Sequence, residues 1–436
     1  MDSLDIIIIG GSLTGLMFGI MLTSHGHDVR ILERGPSDRE SYMAGVCCGA
    51  DAVEFLRRYD RLSGGYQRHS DGLQLLNQGG DTLFYVNGPR AVTSWETLYA
   101  RLRANFDCWK SEVYPKPPLA LGEVVEGAGK GTYVEQTKVL DISDDVVQED
   151  GQQKIRVATE DLVTHELKTL EADLIIAADG PDSLVRAKYL PQVLRTYAGY
   201  VAWRGVVPEQ DISIETRKIF SKNVTLFLLP KHHVLVYTIP GKDGALGDGE
   251  GYLNFLWYTN ETSETLENIM RDRDGHRHRN IVPAGLIRED VWSEMCDRGK
   301  RLLPKPYVEV LNKIPAPFIQ VITDFYSPRA SFADGRVLLV GDGLALMRPH
   351  TAFSTTHAAF DCLQLERYMA KEIDLKRWEN EVLNFAYFHW ATSVWYGEYY
   401  QQHWSIALLS GIRCWSLRLV DMLWSRLGGH ASQLRS

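Results

Sequence analysis

The chain has 436 residues, of which 44% are hydrophobic and 24% charged, and its formal net charge is −9 at pH 7. Such values are typical of a globular protein of two or three domains with a large core. The acidic balance, without a sustained basic run, argues against nucleic acid as a partner. The six cysteines include no C-x-x-C pair, so no metal site or disulfide framework is expected and a reducing, cytoplasmic compartment is favoured.

The first clear pattern in the chain is a strand, a glycine turn and a helix. Residues 5–9 read Asp-Ile-Ile-Ile-Ile, which is typical of a parallel strand buried on both faces. The turn Gly10-Gly11-Ser12-Leu13-Thr14-Gly15 follows the fingerprint G-x-G-x-x-G, with Ser12 at its middle glycine. Such a turn brings backbone N–H groups to a pyrophosphate at a helix N-terminus. Glu33, followed by Arg34, ends the second strand, where a carboxylate can accept hydrogen bonds from ribose hydroxyls.

The stretch from Ile6 to Ser24 carries no charge and has the length of a membrane span. The Gly-Gly-Ser turn in its middle argues against one continuous helix. Asp2 and Asp5 precede the stretch, where a secretion signal needs basic residues. We therefore expect a nucleotide-binding unit and no transmembrane segment.

Helix and strand patterns continue after this unit. A helix is predicted over residues 51–62, and two apolar runs around the turn 77–81 predict a β-hairpin. A second helix is predicted to start near Thr93 or Ser94, either of which can cap it. Weak alternation over residues 133–170 predicts a β-meander.

Two further buried strands run into glycine turns. The apolar run over residues 172–178 is followed by Asp179-Gly180, and the run over residues 337–340 is followed by Gly341-Asp342-Gly343. Open α/β sheets bind ligands at the carboxyl ends of their strands. Both aspartates are therefore expected at a ligand site.

The region between these two strands is rich in strand patterns. The predicted strands are Tyr200–Val207, Val224–Leu229, His233–Ile239 and Tyr252–Tyr258. Residues 241–251 contain five glycines, but no helix follows them, so a flexible hairpin loop is predicted. Residues 261–312 are predicted to be mostly helical.

The last 60 residues are rich in aromatic residues and are predicted to be helical. Apolar residues fall on one face of this helix, at Leu408, Ile412, Trp415, Leu419 and Met422. We interpret this face as packed on the body of the protein. A dimer contact or a peripheral membrane contact are the alternatives.

A buried strand is followed by a glycine turn at three places, Gly10–Gly15, Asp179-Gly180 and Gly341-Asp342, which we call the glycine junctions. The three glycine junctions occur in the order and spacing of the single-component FAD-dependent aromatic hydroxylases, the family of p-hydroxybenzoate hydroxylase. The turn at Gly10 resembles the family's ADP-binding motif, Asp179-Gly180 its D-G motif, and Gly341-Asp342 its G-D motif. This resemblance runs from about residue 5 to about residue 385. The segments most similar to the dihydroxypyridine hydroxylase branch are Tyr200–Gly205, Arg273–Gly275, Pro317–Gln320 and Arg348–Ala352.

The resemblance implies an α/β fold, α+β overall, with a Rossmann-like FAD-binding domain, an inserted β-sheet substrate domain and a helical C-terminal segment. The expected bounds are 1–65, 92–190 and 324–375 for the FAD-binding domain, 66–91 and 191–323 for the substrate domain, and 376–436 for the helical region. The residues expected to bind FAD tightly are Gly10, Gly11, Ser12, Leu13, Thr14, Gly15, Glu33, Arg34, Asp179, Gly180, Asp342, Pro349, Ala352, Phe353 and Ser354.

Three features depart from the family pattern. The family usually has G-x-G-x-N after the proline, where Ala352, Ser354 and Thr356 stand here. A Cβ at either of the first two positions narrows the allowed backbone. Trp95 stands where many members carry an arginine, and Ser12 replaces a glycine. We expect the flavin to be placed differently in detail but still bound.

The resemblance also implies the reaction. Only one dinucleotide fingerprint is present, so NAD(P)H is expected to bind transiently near the FAD and to reduce it. Oxygen then adds at the flavin C4a, and the resulting hydroperoxide attacks an electron-rich phenolic or hydroxypyridine-like ring. The protein supplies orientation, exclusion of water and tuning of charge.

Hydroxylation of this kind is helped by deprotonation of a phenol, which calls for a base or a cationic neighbour near the ring. The candidates for catalysis are His350, beside the flavin loop, and His233 with its neighbour His232. The candidates for lining the substrate pocket are Tyr200, Trp203, Arg204 and Tyr237. Alternation puts Tyr200 and Arg204 on one face of a strand and Trp203 on the other, and leaves open which face lines the pocket. A purely structural role is an equal alternative for each candidate.

An FAD-dependent NAD(P)H:O2 monooxygenase acting on a small aromatic substrate is therefore the leading hypothesis. A close variant is oxidative decarboxylation of a hydroxybenzoate-type substrate, a prenylated one included. Two rivals are a flavin reductase or dehydrogenase without oxygen insertion, and a flavin-binding protein without catalysis.

Overall fold

The computed structural model describes residues 3–36, 44–147 and 153–426, with side chains described outside 145–147 and 417–426. The strands are β1 (Asp5–Ile9), β2 (Asp28–Leu32), β3 (Gly45–Cys48), β4 (Arg68–Leu76), β5 (Thr82–Ser94), β6 (Gly131–Val134), β7 (Thr137–Val147), β8 (Gln153–Asp161), β9 (Leu167–Ala172), β10 (Leu174–Ala177), β11 (Thr196–Pro208), β12 (Asn223–Leu229), β13 (His232–Ile239), β14 (Tyr252–Asn260), β15 (Ile281–Val282), β16 (Phe318–Tyr326), β17 (Ser331–Phe332), β18 (Val337–Leu339) and β19 (Ala345–Leu346). The α-helices are α1 (Leu13–Ser24), α2 (Ala50–Tyr59), α3 (Trp95–Asp107), α4 (Leu121–Val124), α5 (Leu184–Tyr189), α6 (Ile214–Phe220), α7 (Ser263–Ile269), α8 (Glu289–Leu302), α9 (Lys305–Asn312), α10 (Ser354–Met369), α11 (Leu375–Gln401) and α12 (Trp404–Arg426).

A six-stranded sheet with the order β17-β18-β10-β1-β2-β6 forms the first layer. The strands from β18 to β6 are parallel, and only β17 runs antiparallel to its neighbour. The four isoleucines of β1 are buried, as expected of a strand covered on both faces. The predicted mixed α/β architecture is confirmed.

The order of these parallel strands brings the three glycine junctions together. β18, β10, β1 and β2 are successive neighbours. Their carboxyl ends lead directly into Gly341-Asp342, Ala178-Asp179, Gly10 and Glu33, respectively. Residues as far apart in the chain as Gly10 and Asp342 therefore meet at one edge of one sheet.

A ten-stranded mixed sheet forms the second layer, with the order β15-β16-β11-β14-β13-β12-β4-β5-β3 and with β19 attached to β16. Most pairs are antiparallel, and β12 and β4 are parallel. One face packs on α8 and α9 and buries Trp203, Phe255 and Val234. The other face carries the alternate residues and faces the loop 349–355, which follows the Gly341-Asp342 turn. Alternation along each strand thus separates a hydrophobic face from a face that lines a cavity.

The predicted elements of the middle region are mostly present. β4 and β5 form the predicted hairpin, and α3 begins at Trp95 with the Ser94 hydroxyl accepting a hydrogen bond from Thr97 N. The predicted β-meander is the three-stranded sheet β7-β8-β9. The mostly helical prediction for residues 261–312 is only partly correct, because 270–288 hold irregular chain and β15 between α7 and α8.

The C-terminal helix α12 packs on α11, but by a different face from the predicted one. Ala407 and Cys414 are buried, whereas Leu408, Ile412 and Trp415 are 56%, 59% and 60% exposed. The predicted apolar stripe therefore faces solvent, and the side chains of Leu419 and Met422 lie outside the described residues. This corrects the interpretation that the stripe packs on the body: α12 buries its small side chains because they allow close approach to α11. Of the helices described, none is both long and apolar enough to cross a membrane.

Candidate active site

The glycine turn after β1 is closed by backbone contacts that only glycine permits. Gly10 has φ +99°, and a Cβ there would lie 2.4 Å from Ala178 O. A Cβ on Gly15 would lie 1.9 Å from Gly10 O. The turn therefore folds tightly against the residue that follows β10. The N-terminus of α1, at Leu13 and Thr14, lies at the edge of the first sheet where the three glycine junctions meet.

Glu33 shapes this turn from the end of β2. Its Oε2 accepts a hydrogen bond from Gly11 N at 2.7 Å, and its Oε1 accepts one from Gly35 N at 2.8 Å. Each carboxylate oxygen has a second lone pair for another donor. The residue predicted to meet a ribose thus also holds the backbone of the turn, while its neighbour Arg34 is exposed.

An aromatic cluster flanks the same turn and was not predicted. Trp95 Nε1 donates to Ser12 Oγ at 3.3 Å, and the Trp95 ring stacks on Tyr99 at 4.7 Å. The hydroxyl of Tyr133 donates to Gly11 O at 2.9 Å. Two departures from the family pattern, Ser12 and Trp95, are therefore in contact with each other. A single sequence could not reveal this pairing across 83 residues.

Asp179 supplies a buried acceptor beside the turn. Its Oδ2 accepts from Leu184 N at 2.8 Å, and burial raises the pKa of the carboxyl. Its Oδ1 is buried and has no hydrogen-bond partner among the described residues. The Arg186 guanidinium donates to Gly343 O at 3.0 Å and to Pro181 O, which ties this junction to the one that carries Asp342. Gly180 has φ +75° with open space at its Cβ position.

Asp342 is the second acidic group at the edge. Burial raises its pKa to about 6, against the lowering effects of a hydrogen bond with Ser354 and of the Arg195 charge. The preceding Gly341 donates its N–H to Asp361 Oδ2 at 2.9 Å. A Cβ on Gly341 would meet Thr14 Oγ1 at 2.6 Å, so the β18 and β1 junctions also touch.

These groups fit a dinucleotide by the chemistry of their donors and acceptors. The N-terminus of α1 and the glycine turn present N–H groups suited to a pyrophosphate. Asp179 Oδ1 is a buried acceptor without a hydrogen-bond partner among the described residues, and Asp342 is a buried carboxyl. Both suit hydroxyl or imide donors. The residues present therefore fit FAD.

The loop from Pro349 to Ser354 connects the edge to the second sheet. Ala352 has φ 55° and ψ 35°, a left-handed conformation that costs an L-residue about 1–2 kcal/mol. Ser354 begins α10 with ordinary helical geometry, and Phe353 stacks on His389 at 4.1 Å. Only one of the replaced family glycines therefore stands where glycine is conformationally preferred.

A cavity of about 200 Å³ lies between this loop and the open face of the second sheet. The loop contributes Pro349, His350, Ala352, Ser354 and Thr355. The sheet contributes Leu73, Arg204, Val224, Leu226, His233, Leu235, Tyr237, Leu256 and Tyr258. Residues 45–47, Arg90 and Tyr400 complete the lining.

His350 occupies the boundary between the loop and the sheet. Its Nε2 lies 2.6 Å from the hydroxyl of Tyr200, which also forms a hydrogen bond with Arg348. Arginine can only donate, so the tyrosine oxygen accepts from Arg348, and the imidazole tautomer decides which of Tyr200 Oη and His350 Nε2 donates in the bond between them. Nδ1 of His350 is buried without a hydrogen-bond partner among the described residues. Burial and the Arg348 charge lower the pKa of His350 to about 3.

Arg348 is itself held in place from the far side. Its Nε donates to Asp324 Oδ2 at 2.7 Å, and Trp390 Nε1 donates to Asp324 Oδ1 at 3.0 Å. The chain Asp324–Arg348–Tyr200–His350 thus fixes the imidazole from three elements, β16, β11 and the loop before α10. A network of linked hydrogen bonds of this kind orients the imidazole through its Nε2.

His233 lies between two aromatic rings in the same cavity. Its ring stacks on Tyr258 at 4.5 Å and meets Tyr400 at 4.4 Å. Its Nδ1 lies 2.8 Å from Gln401 Nε2, at the end of α11. Burial and the neighbouring His350 and His232 place the pKa of His233 far below its ordinary value. Both cavity histidines are therefore neutral at pH 7.

The remaining predicted lining residues divide between the two faces of β11. Arg204 lines the cavity, as does Tyr237 on β13, and Tyr200 lies buried behind His350. Trp203 is on the opposite face, with Nε1 donating to Thr259 Oγ1 at 2.8 Å, so it does not line the cavity. His232 contacts Arg298 and also lies outside it.

Sequence reasoning missed Tyr258, Tyr400 and Arg90. Tyr258 could have been predicted, because it lies on the same face as Leu256 along a predicted strand. Arg90 lies in β5, within the segment 66–91 that the sequence assigned to the substrate domain, but no pattern indicated it as a lining residue. No pattern in the sequence relates Tyr400 of α11 to that domain.

The chain is similar to proteins of known structure and name over most of its length. A family model described as FAD binding domain-like matches residues 197–324. The chain is 27% identical over 384 residues to 2,6-dihydroxypyridine 3-monooxygenase of Paenarthrobacter nicotinovorans, covering 87% of each protein. It is 25% identical over 398 residues to 6-hydroxynicotinate 3-monooxygenase of Pseudomonas fluorescens, covering 87% of this chain and 85% of that protein.

A similarity of the same extent exists among solved structures. The structure of 2,6-dihydroxypyridine-3-hydroxylase from Arthrobacter nicotinovorans matches with a TM-score of 0.78 at 25% sequence identity. The match covers 92% of this chain and 93% of that one.

Proposed function

We propose that this chain, which belongs to the FAD-dependent aromatic monooxygenase family, hydroxylates a phenolic or hydroxypyridine-like ring bound in the cavity, using NAD(P)H and O2. One observation carries the proposal. The loop that follows Asp342, with His350 and Ala352, lines the same cavity as His233 and Arg204 of the second sheet. A substrate in this cavity adjoins the edge whose residues fit FAD.

FAD, when bound, supplies the activation of O2, and the reducing equivalents come from NAD(P)H. The protein's own residues bind and orient the ring. We propose that Tyr200 donates to Nε2 of His350, so that Nδ1–H donates a hydrogen bond to a ring oxygen, because Nδ1 is buried and has no hydrogen-bond partner among the described residues. His233 contributes the second polar contact, and its aromatic neighbours Tyr258 and Tyr400 exclude water.

The two histidines act in this proposal as neutral hydrogen-bonding groups. A pKa of about 3 for His350 means that the imidazole cannot store a proton as a cation at neutral pH. Orientation of the ring oxygen is therefore its main role, and Tyr200 sets the position of the donating nitrogen. We place His350 and His233 as the catalytic side chains on this basis.

A second candidate is the decarboxylating variant of the same reaction, in which the attacked ring carbon carries a carboxylate. The basic lining of the cavity, with Arg90 and Arg204, favours an acidic substrate. Release of CO2 in step with NAD(P)H consumption would separate this variant from simple hydroxylation.

The test uses the purified holoenzyme with a panel of hydroxypyridines, phenols and phenolic acids. We expect a substrate to accelerate bleaching of the flavin by NAD(P)H under nitrogen, and to gain one oxygen atom from ¹⁸O2 in air. Substrate-dependent bleaching without oxygen in the product would support a reductase instead. A yellow protein that NAD(P)H never bleaches would support a flavin-binding protein without catalysis.

A further inference from the structure

We propose that the aromatic substrate carries an uncharged apolar chain, which lies in a groove that runs from the cavity across β12 and β4 to the hairpin residues Phe84 and Val86. The inference rests on the proposed function, because the groove begins in the cavity that holds the ring. It adds the chemical class of the substrate, a hydroxyarene or hydroxyheteroarene with an alkyl or alkenyl chain, and the residues that select it.

The first observation is the aliphatic floor of the cavity. The second sheet contributes five aliphatic side chains from four of its strands, Leu73, Val224, Leu226, Leu235 and Leu256. His233 of β13 is paired with Tyr258 on one side and with Leu228 of β12 on the other. Side chains on one face of a strand recur at every second residue, so β12 presents Val224, Leu226 and Leu228 to this face. A ring whose oxygen meets the histidines is therefore bordered only by aliphatic side chains of β12.

The second observation is that the floor continues beyond the cavity in two apolar rows. One row crosses five neighbouring strands and consists of Leu256, Leu235, Leu226, Leu75 and Phe84. The other lies beside it and includes Val224, Leu73 and Val86. Neighbouring strands are about 4.8 Å apart, so the first row extends over about 19 Å. The charged residue of this row, Arg204, pairs with Leu256 at the end opposite to Phe84. From Leu256 to Phe84 the row contains no polar side chain.

The third observation is that these rows become exposed toward the hairpin. Leu226 and Val224 are each 7% exposed, whereas Phe84 and Val86, two strands away, are 58% and 46% exposed. Leu73 and Leu75, between them, are half-buried. The groove therefore opens gradually from a buried floor to solvent. An exposed apolar patch that is continuous with a cavity is typical of a ligand-binding groove.

The continuity of the rows determines which occupant fits. A ligand that begins in the cavity can cover both the buried and the exposed part of the groove, because they lie on one face of one sheet. The rows offer neither a charge nor a hydrogen-bonding side chain between Leu226 and Phe84, so the covering group is itself apolar and uncharged. An alkyl or alkenyl chain on the ring meets both conditions, with the ring oxygen at the histidines and the chain directed across β12.

The experiment measures binding of a series of 4-alkylphenols, from methyl to octyl, to the holoenzyme. Binding is followed by the change in flavin absorbance without NAD(P)H, at concentrations below those at which the phenols self-associate. The wild type is expected to bind about 2- to 4-fold more tightly for each added CH2, because each leaves water for apolar surface. In the double variant Phe84→Ser, Val86→Ser the loss of affinity should grow with chain length and reach about 10- to 20-fold for octylphenol, as expected for about two methylenes left in water.

The matched control is Tyr85→Ser in the same hairpin. Tyr85 is 45% exposed, but it pairs with Gln74, which donates to Ile219 O on the opposite face of the sheet. Its hydroxyl also lies 2.8 Å from where a Cβ of Gly72 would be. This variant should keep the chain-length dependence of the wild type. Flavin content and thermal unfolding of each variant identify loss of fold.

Three outcomes would overturn the inference. They are wild-type affinity that does not rise with chain length, a rise that persists in the double variant, and an equal loss in Tyr85→Ser. A wild-type dimer that the double variant dissociates, without any chain-length effect, would identify a second copy of the chain as the occupant and would overturn it as well. Failure of the proposed function is distinct, because it would appear as chain-length-dependent binding without oxygen insertion into any homologue.

Discussion

The carboxylate of Glu33 accepts a hydrogen bond from the backbone N–H of Gly11 at 2.7 Å, and its other oxygen accepts one from Gly35. The residue that directly follows β2 therefore holds the glycine turn that follows β1. The turn is shaped before any ligand arrives, by a side chain that the sequence pattern assigns to the ligand alone.

Glu33→Ala is expected to weaken both the fold and the cofactor site. Removing a buried acceptor leaves the Gly11 N–H without its partner, which should lower the free energy of unfolding of the FAD-free protein by about 1–3 kcal/mol. The FAD dissociation constant should rise by a few-fold to a hundredfold. Urea unfolding and flavin titration measure the two effects. Arg34→Ala, at the exposed neighbouring position, is the control, and unchanged stability of the FAD-free Glu33 variant would contradict the structural role.

Asp342→Asn should separate stability from flavin retention. Because burial raises the pKa of Asp342 from 3.8 to about 6, the folded protein binds more protons than the unfolded chain between these values. Stability therefore falls as pH rises through this window, and the loss persists above it. The uncharged asparagine avoids the loss, so the FAD-free variant should be more stable than the wild type at pH 7, by up to about 3 kcal/mol.

The same variant should retain less FAD, since it loses an ionisable acceptor at the shared edge. Flavin content after dialysis and FAD-free thermal unfolding at pH 4 and pH 7 are the measurements. The stability difference should nearly vanish at pH 4, where the wild-type carboxyl is protonated. Full flavin content after dialysis would remove Asp342 from the site.

Ala352 should respond to substitution according to its left-handed backbone. Ala352→Gly relieves the Cβ strain but adds freedom to the unfolded chain, so stability should change by less than about 1 kcal/mol. Ala352→Val should lower stability by about 2 kcal/mol, because a β-branched side chain tolerates φ 55° poorly.

The matched control for Ala352 is Lys371, which is also left-handed, with φ 61°, but is exposed and follows α10 on the far side. Glycine and valine at Lys371 should affect stability in the same direction, without changing the affinity for FAD or substrate. Chemical unfolding and flavin titration of the four variants provide the comparison. Equal effects of the substitutions at Ala352 and at Lys371 on ligand affinity would contradict the assignment of Ala352 to the site.

His350→Gln should change how stability depends on pH. The folded protein holds this imidazole neutral down to about pH 3, whereas an unfolded histidine gains a proton near pH 6.5. Folded protein thus binds fewer protons in this window, and stability is lost as pH falls from 6.5 toward 3. The variant lacks this term, so its stability should fall less steeply between pH 4 and 6, by about 1.4 kcal/mol per pH unit.

The groups that face His350 are Tyr200, Tyr258, Tyr400, His233 and Arg348, and all of them remain in the variant. His69→Gln, at an exposed position of β4, should leave the slope unchanged. Turnover of His350→Gln at pH 7 should fall about 10- to 100-fold if the imidazole orients the ring. A slope identical to that of the wild type would show that His350 is not held neutral.

Much of the cofactor edge was predictable because it depends on local order. Buried apolar runs that end in glycine identify parallel strands, and the carboxyl ends of parallel strands share one edge of a sheet. Gly10, Asp179 and Asp342 could therefore be grouped without coordinates. The hairpin β4–β5 and the cap at Ser94 were likewise readable, since both depend on residues that are neighbours in the chain.

The residues that line the cavity were only partly predictable. Alternation along β11 put Tyr200 and Arg204 on one face and Trp203 on the other, but a period of two does not indicate which face a helix will cover. Packing of α8 and α9 decided it. The same limit applies to α12, whose apolar stripe is regular in sequence but faces solvent because the small residues pack on α11.

The sequence by itself determined the order of the motifs along the chain, the nucleotide turn and the acidic residues that follow the buried strands. It could do so because strand burial and glycine turns are encoded within a few residues. Only the tertiary structure decided the contacts Trp95–Ser12, Tyr200–His350 and His233–Gln401. These pairs join elements 83 to 168 residues apart in the chain. Periodicity states which residues share a face, and the packing of distant elements alone determines what that face meets.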